Sequence, residues 1–276
     1  MKFKSIAGSI ALLFTLLPLT VAQASSGAVA PPSEHWEFHG IFGRFDQAAL
    51  KRGAQVATEV CLGCHSIKYI KFNQLHDIGF NEEQVIAMAE SRGKTKQDRM
   101  VSALDDAAAK DAFGIIPPDL SLITKARKGY EDYIFGLLTG YLTEEDTNLV
   151  QQVMEDNEIS ESEALELASA IHVDPHHMEK IKEVIARINN GDHFNKYFPG
   201  FFFAMPAPLA DGSVEYSDGT ETSKKQLAKD VTTFLAWAAE PTQTQRKSTG
   251  LNVILYLVIF TALLYAMKRR IWAKIH

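Results

Sequence analysis

Residues 46–65 read DQAALKRGAQVATEVCLGCH. Asp46 stands where an N-cap carboxylate takes the first free amides of a helix, and Leu50, Ala54, Ala57 and Val60 recur behind it at helical spacing. That helix runs directly into Cys61-Leu62-Gly63-Cys64-His65, the Cys-x-x-Cys-His sequence that attaches a c-type haem. Two thiols three residues apart can add to the two vinyl groups of one porphyrin, and the next residue is then placed to ligate the iron. The other chemistry open to such a pair is a thioredoxin-like dithiol. Those pairs sit in βαβ contexts, whereas here a helix leads in. One haem on Cys61 and Cys64, with His65 as proximal ligand, consumes both cysteines of the chain and leaves none for a disulfide.

The sixth ligand decides what such a haem does. A methionine or a second histidine makes an electron carrier, while an open position permits ligand sensing or peroxidase chemistry. Seven methionines and nine histidines are present. Met205 lies in Met205-Pro206-Ala207-Pro208, a stiff non-helical stretch that can hold a thioether against iron. Met88, Met100, Met154 and Met178 fall in helical patterns, where methionine more often fills a core. His172, His176, His177 and His193 cluster as a conceivable metal site, but Pro175 interrupts their spacing and solvated histidines are the plainer reading.

The two ends of the chain differ from its middle. Residues 1–24 carry Lys2 and Lys4, an apolar run from Ile6 to Val21, and Ala22-Gln23-Ala24, the pattern of a cleaved secretory signal peptide. Residues 250–267 (GLNVILYLVIFTALLYAM) hold no charge, long enough to cross a bilayer once. Lys268, Arg269, Arg270 and Lys274 follow with Trp272, so the positive-inside rule puts 268–276 in the cytoplasm and residues 25–245 in the periplasm, on a bacterial inner membrane. Of the 276 residues, all 34 acidic ones and only 20 of the 28 basic ones lie in 25–245, a formal −14 for that domain. Such a field excludes nucleic acid and attracts cationic partners.

Within the domain, Asn81 opens a helix to Glu90, and Pro117-Pro118-Asp119-Leu120 breaks the chain before a short helix towards Arg127. Tyr130 to Tyr141 reads as a further helix. Residues 143–193 look like an acidic insertion with two helices. One is started by Ser160 and Glu163 as a capping box; the other follows Asp174-Pro175 and carries Met178, Ile181, Val184, Ile185 and Ile188 on one face. Ser223 caps a last helix to Ala239, Pro241 stops it, and a polar linker leads to the anchor. The chain is expected to be mostly α, a class I cytochrome c-like domain with an inserted helical segment and one C-terminal transmembrane helix.

Several ordered blocks complete the pattern. They include Arg52-Gly53, Pro117-Pro118-Asp119-Leu120-Ser121, Ala126-Arg127, Glu131-Asp132-Tyr133, Leu137-Leu138-Thr139-Gly140-Tyr141, Tyr197-Phe198-Pro199-Gly200, Met205, Asp218-Gly219-Thr220, Ala228-Lys229-Asp230-Val231 and Trp237-Ala238-Ala239-Glu240-Pro241. Over most of its length the chain resembles the cytochrome c1 family, the haem subunits of the cytochrome bc1 complex (ubiquinol:cytochrome c reductase). The resemblance implies axial ligation by His65 and Met205, a haem propionate at Arg127, and pocket positions at Pro118 and Tyr133. It implies a carrier that takes an electron from the Rieske iron–sulfur protein and passes it to a c-type cytochrome, beside cytochrome b in a dimeric, lipid-embedded complex. No residue of the chain is then a general acid, base or nucleophile. Two departures stand out: the 143–193 insertion, and Phe201-Phe202-Phe203 ahead of the axial position. The rivals are a monohaem cytochrome serving another electron-transfer chain, and a haem sensor or peroxidase with an open distal site.

Overall fold

A computed structural model describes residues 29–156, 160–171 and 178–273. The expected signal peptide, the Asp174-Pro175 cap, His172, His176 and His177 lie outside the described residues.

The domain is organised on two crossing helices. Helix α1 (Gln47–Glu59) is started by Asp46, whose carboxylate accepts from the Ala48 and Ala49 amides at 3.2 and 3.1 Å. Helix α9 (Lys224–Ala239, numbered in chain order) is capped by Ser223 and buries Leu227, Val231, Phe234 and Leu235. The two backbones touch at Gly53. A Cβ there would lie 2.1 Å from the Asp230 carbonyl oxygen and 2.7 Å from Phe234 Cβ, so only glycine lets the helices approach this closely. One residue earlier, Arg52 clamps the crossing. Its Nε and Nη2 donate to the two oxygens of the buried Asp230 at 2.8 and 3.0 Å, and its Nη1 donates to Asp218 at 2.9 Å.

Around this crossing lies the main core, which includes Trp36, Phe38, Leu62, Ile67, Phe72, Leu75, Met100 and Phe135. Strand β1 (Ile67–Lys71) pairs antiparallel with β2 (Arg99–Met100). Between them, helix α2 (Glu82–Glu90) has a reciprocal cap, Asn81 with Gln84. Helix α3 (Asp106–Phe113) precedes the Pro117-Pro118 breaker, and α4 (Ile123–Ala126) and α5 (Tyr130–Thr139) follow it. Trp36 Nε1 donates to Asp132 at 2.7 Å, which staples the N-terminal segment to the start of α5.

The insertion has a core of its own. Helices α6 (Glu144–Asp156), α7 (Glu161–Ile171) and α8 (Met178–Asn189) enclose Val150, Leu167, Ile171, Ile181, Val184 and Ile185. Ser160 and Glu163 form the expected capping box at α7. Helix α6 makes three helices where two were expected; Thr143 and Asp146 start it with the same reciprocal geometry. Strands β3 (His193–Phe194) and β4 (Phe202–Phe203) pair antiparallel and close the insertion against the main chain.

Helix α10 runs unbroken over Gln243–Trp272. The stretch expected as a polar linker is therefore its first two turns. Pro241 lies just ahead of this helix, where a missing N–H costs nothing, and Gln243 to Lys247 are adequate helix formers. At 1.5 Å per residue, 30 residues reach about 45 Å, longer than a hydrocarbon core of about 30 Å. From Leu251 to Trp272 the helix is exposed, and it is long and apolar enough to cross a membrane. Lys247 Nζ donates to the Phe38 carbonyl at 2.6 Å and ties the base of the helix to the domain.

Candidate haem site

Helix α1 ends by tightening. Cys61–Gly63 form a 3-10 turn in which the amides of Cys64 and His65 both donate to the Cys61 carbonyl, at 3.1 and 2.8 Å. Both thiols and the histidine are thereby brought onto one turn. Leu62 is fully buried and plugs that turn into the core, while the Ala103 amide grips the Leu62 carbonyl at 2.9 Å.

His65 has a defined tautomer. Its Nδ1 lies 2.7 Å from the Pro118 carbonyl oxygen, which can only accept, so Nδ1 carries the proton and Nε2 keeps its lone pair. Burial also holds this imidazole below its ordinary pKa, which favours the neutral, ligating form. Pro118 is itself fixed. The Leu120 amide donates to the Ser66 carbonyl at 2.7 Å, and the Asp119 carboxylate takes the amides of Lys68 and Ser121 at 3.1 and 2.9 Å.

The thiols are not those of a dithiol reductant. They follow the C-terminal end of a helix, where the dipole opposes a thiolate, and burial pushes the Cys61 thiol up to about 12. A reactive dithiol requires the opposite. Two free cysteines on one turn beside an imidazole with a free Nε2 fit a covalently attached haem.

Pro118, the partner of His65, also lines an open pocket of about 170 Å³ together with Tyr69, Asp119, Ser121, Leu122, Ile123, Ala126 and Arg127. Ile116, Leu122 and Tyr130 remain 50, 44 and 58% exposed on the same segments, an apolar surface that suits a flat porphyrin. Arg127 is exposed, and among the described residues the one hydrogen bond of its side chain is a long one to the Ala126 carbonyl, at 3.4 Å. Arg127 forms no ion pair among those residues. Tyr133 is half-buried; burial pushes its phenol up while the nearby Arg127 charge pulls the other way.

Met205 arrives from a different part of the chain. It lies half-buried in a stretch without regular structure, and no hydrogen bond among the described residues joins that stretch to the Cys61–His65 turn. Instead, the buried Tyr141 hydroxyl lies 2.9 Å from the Met205 carbonyl and 3.2 Å from that of Pro206. Sequence reasoning placed Tyr141 at the end of a helix and in one of the ordered blocks, with no task at the axial position; the helix ends at Thr139, ahead of it. That reasoning also read Pro118 as pocket wall and missed that its carbonyl orients His65. Among the described residues no group of three His, Cys, Asp or Glu side chains forms a separate metal site.

The family model described as the Cytochrome C1 family matches residues 36–275. The chain belongs to the cytochrome c1 family. It is 37% identical over 271 residues to a cytochrome c1 of Rhodospirillum rubrum, covering 92% of each. It is equally similar, over 92% of its length, to a cytochrome b/c1 of Bradyrhizobium diazoefficiens, of which it spans 37%. A cytochrome b-c1 complex catalytic subunit of Candida albicans mitochondria is 34% identical over 91% of this chain and 81% of that one. Cytochrome c1 proteins carry a covalently bound c-type haem, the group that the geometry of the Cys61–His65 turn fits.

Proposed function

We propose that this cytochrome c1-family chain is the haem subunit of a cytochrome bc1 complex, and so a part of ubiquinol:cytochrome c reductase. Cys61 and Cys64 hold the haem, His65 and Met205 ligate its iron, Arg127 offers paired donors to a propionate, and Pro118 and Tyr133 wall the pocket. When bound, the haem supplies one-electron exchange at iron. The protein's own residues set the tautomer of His65, exclude water with apolar walls, and leave no acid, base or nucleophile at the site. The observation that carries the reading is the 2.7 Å contact from His65 Nδ1 to the Pro118 carbonyl, on the same turn as the two free cysteines.

The chain receives an electron from a Rieske iron–sulfur protein and delivers it to a c-type cytochrome. The joined name of the Bradyrhizobium diazoefficiens relative, cytochrome b/c1, supports cytochrome b as its immediate neighbour. The assembly is dimeric and embedded in lipid. Purification in detergent through a C-terminal tag, with identification of the chains and haems that accompany it, tests this reading. Cytochrome b and an iron–sulfur protein are expected; their absence favours a cytochrome of another chain.

We place the haem domain in the periplasm after removal of residues 1–24, and residues 268–276 in the cytoplasm. A reporter active only in the periplasm should work when fused near Gln243 and be silent when fused after His276. The reverse pattern overturns the orientation. At the haem edge, Arg127→Gln should lower the reduction potential by tens of millivolts, the effect of one cation acting through a partly solvated surface. Redox titration reads it directly, and an unchanged potential removes Arg127 from the site.

A further inference from the structure

Phe201, Phe202 and Phe203 stand between the insertion and the axial methionine. On the insertion side, Phe194 stacks on Phe201 at 5.7 Å and meets Phe202 edge-on at 5.7 Å, and both phenylalanines pack against the core of α6–α8. Arg187 of α8 lies 3.9 Å over the Phe202 ring and is steadied by Asp192 at 2.8 Å. On the other side, Phe203 stacks on Phe198 at 4.6 Å and on Tyr141 at 5.8 Å. Tyr141 then grips the carbonyls of Met205 and Pro206. The two ring clusters meet only through the backbone of β4, where Phe202 and Phe203 are chain neighbours on opposite faces, and by that route helix α8 is connected to the backbone of Met205.

The backbone of this bridge is held under tension. Phe201 has φ +66°, in the left-handed region that a side chain rarely occupies, directly after Gly200 at +85°. Such a conformation persists only where the surroundings over-determine it. Here they do: the Phe201 ring is seated in the insertion, and its carbonyl takes the amide of the buried Asn195 at 2.6 Å. Without the insertion's core, Phe201 and Phe202 lose the surface that keeps them in place.

We infer that the 143–193 insertion is a buttress for the axial ligand, with Phe202 and Tyr141 as positioning residues that keep Met205 on the iron. This rests on the reading of Met205 as sixth ligand, and it gives the insertion a task apart from its charge. A methionine on a non-helical loop otherwise has little to oppose its swinging away. Loss of the Tyr141 hydroxyl removes one hydrogen bond to a backbone that must stay put, and loss of the Phe202 ring uncouples α8 from β4.

The test uses the full-length, haem-loaded chain in detergent and compares Tyr141→Phe, Phe202→Leu and Met205→Leu with the parent. Three properties are read: the near-infrared sulfur-to-iron band, the reduction potential, and carbon monoxide binding to the reduced protein. Tyr141→Phe and Phe202→Leu should each raise the population with Met205 off by about threefold to tenfold, the scale of one lost hydrogen bond or packed contact. Faster carbon monoxide binding, a weaker band and a lower potential are the expected result. Lower thermal stability with band, potential and carbon monoxide kinetics unchanged makes these residues merely structural and overturns the inference. If Phe202→Leu does not fold, Tyr141→Phe decides alone. A band that survives in Met205→Leu overturns the ligand reading itself. A band lost there but intact in the other two variants overturns only the buttress.

Discussion

Met205→Leu keeps its haem on Cys61 and Cys64, loses the sulfur-to-iron band, binds carbon monoxide when reduced, and drops in reduction potential by on the order of 100 mV. The scale follows from a one-electron couple: a ligand that prefers ferrous to ferric iron by about two decades moves the potential by about 59 mV per decade. Leucine has nearly the volume of methionine, so the space is filled and the fold is retained. The Met205 loop also keeps its anchor, because Tyr141 holds backbone carbonyls and not the side chain. The variant therefore isolates the thioether. Redox titration with carbon monoxide binding measures it, and a potential within about 20 mV of the parent argues for a different sixth ligand.

Asp230→Ala lowers the stability of the haem domain by about 3–5 kcal/mol, the cost of leaving one partner of a buried ion pair unmatched. Asp230 is 1% exposed and receives two bonds from Arg52 and a third from Gln226 Nε2 at 3.0 Å. Deleting the carboxylate leaves the Arg52 guanidinium under the α1–α9 crossing with Asp218 as its one remaining anion among the described residues. For a domain of this size each kcal/mol is about 2–4 °C, so the melting temperature falls by about 6–20 °C. Thermal unfolding followed by circular dichroism reads the shift. The double variant Arg52→Met with Asp230→Leu removes both charges and should recover most of the loss. A fall of under about 3 °C in the single variant shows that the pair does not hold the crossing.

The caps were legible because they are local chemistry. Asp46, Asn81, Ser160 and Ser223 each sit within three residues of the amides they bind. Thr143 with Asp146 carries the same signal, and reading it would have located α6. Helix α3 was harder to see, since it buries only Ala109 and lacks an apolar stripe. The pairing of Ile67 with Met100 joins residues far apart in the chain, and two-residue strands carry no alternation to read. The helical start of α10 was missed because charge and polarity at Gln243–Thr249 resemble a linker, yet propensity and continuity with the apolar span carry the helix through.

By itself the amino-acid sequence determined the haem-attachment turn, the helix starts and the apolar C-terminal span, because each depends on residues within a turn or two of one another. It also marked Gly53 without saying why, since the reason is an oxygen of Asp230 from a helix near the other end of the chain. Only the tertiary structure decided that the Pro118 carbonyl sets the tautomer of His65, 53 residues away. Only there does Tyr141 reach Met205 across 64 residues, and only there do Phe201 and Phe202 become part of the insertion's core. Hydrogen bonds and ring stacking reach a few ångströms in space whatever the distance along the chain, and folding chooses which side chains meet.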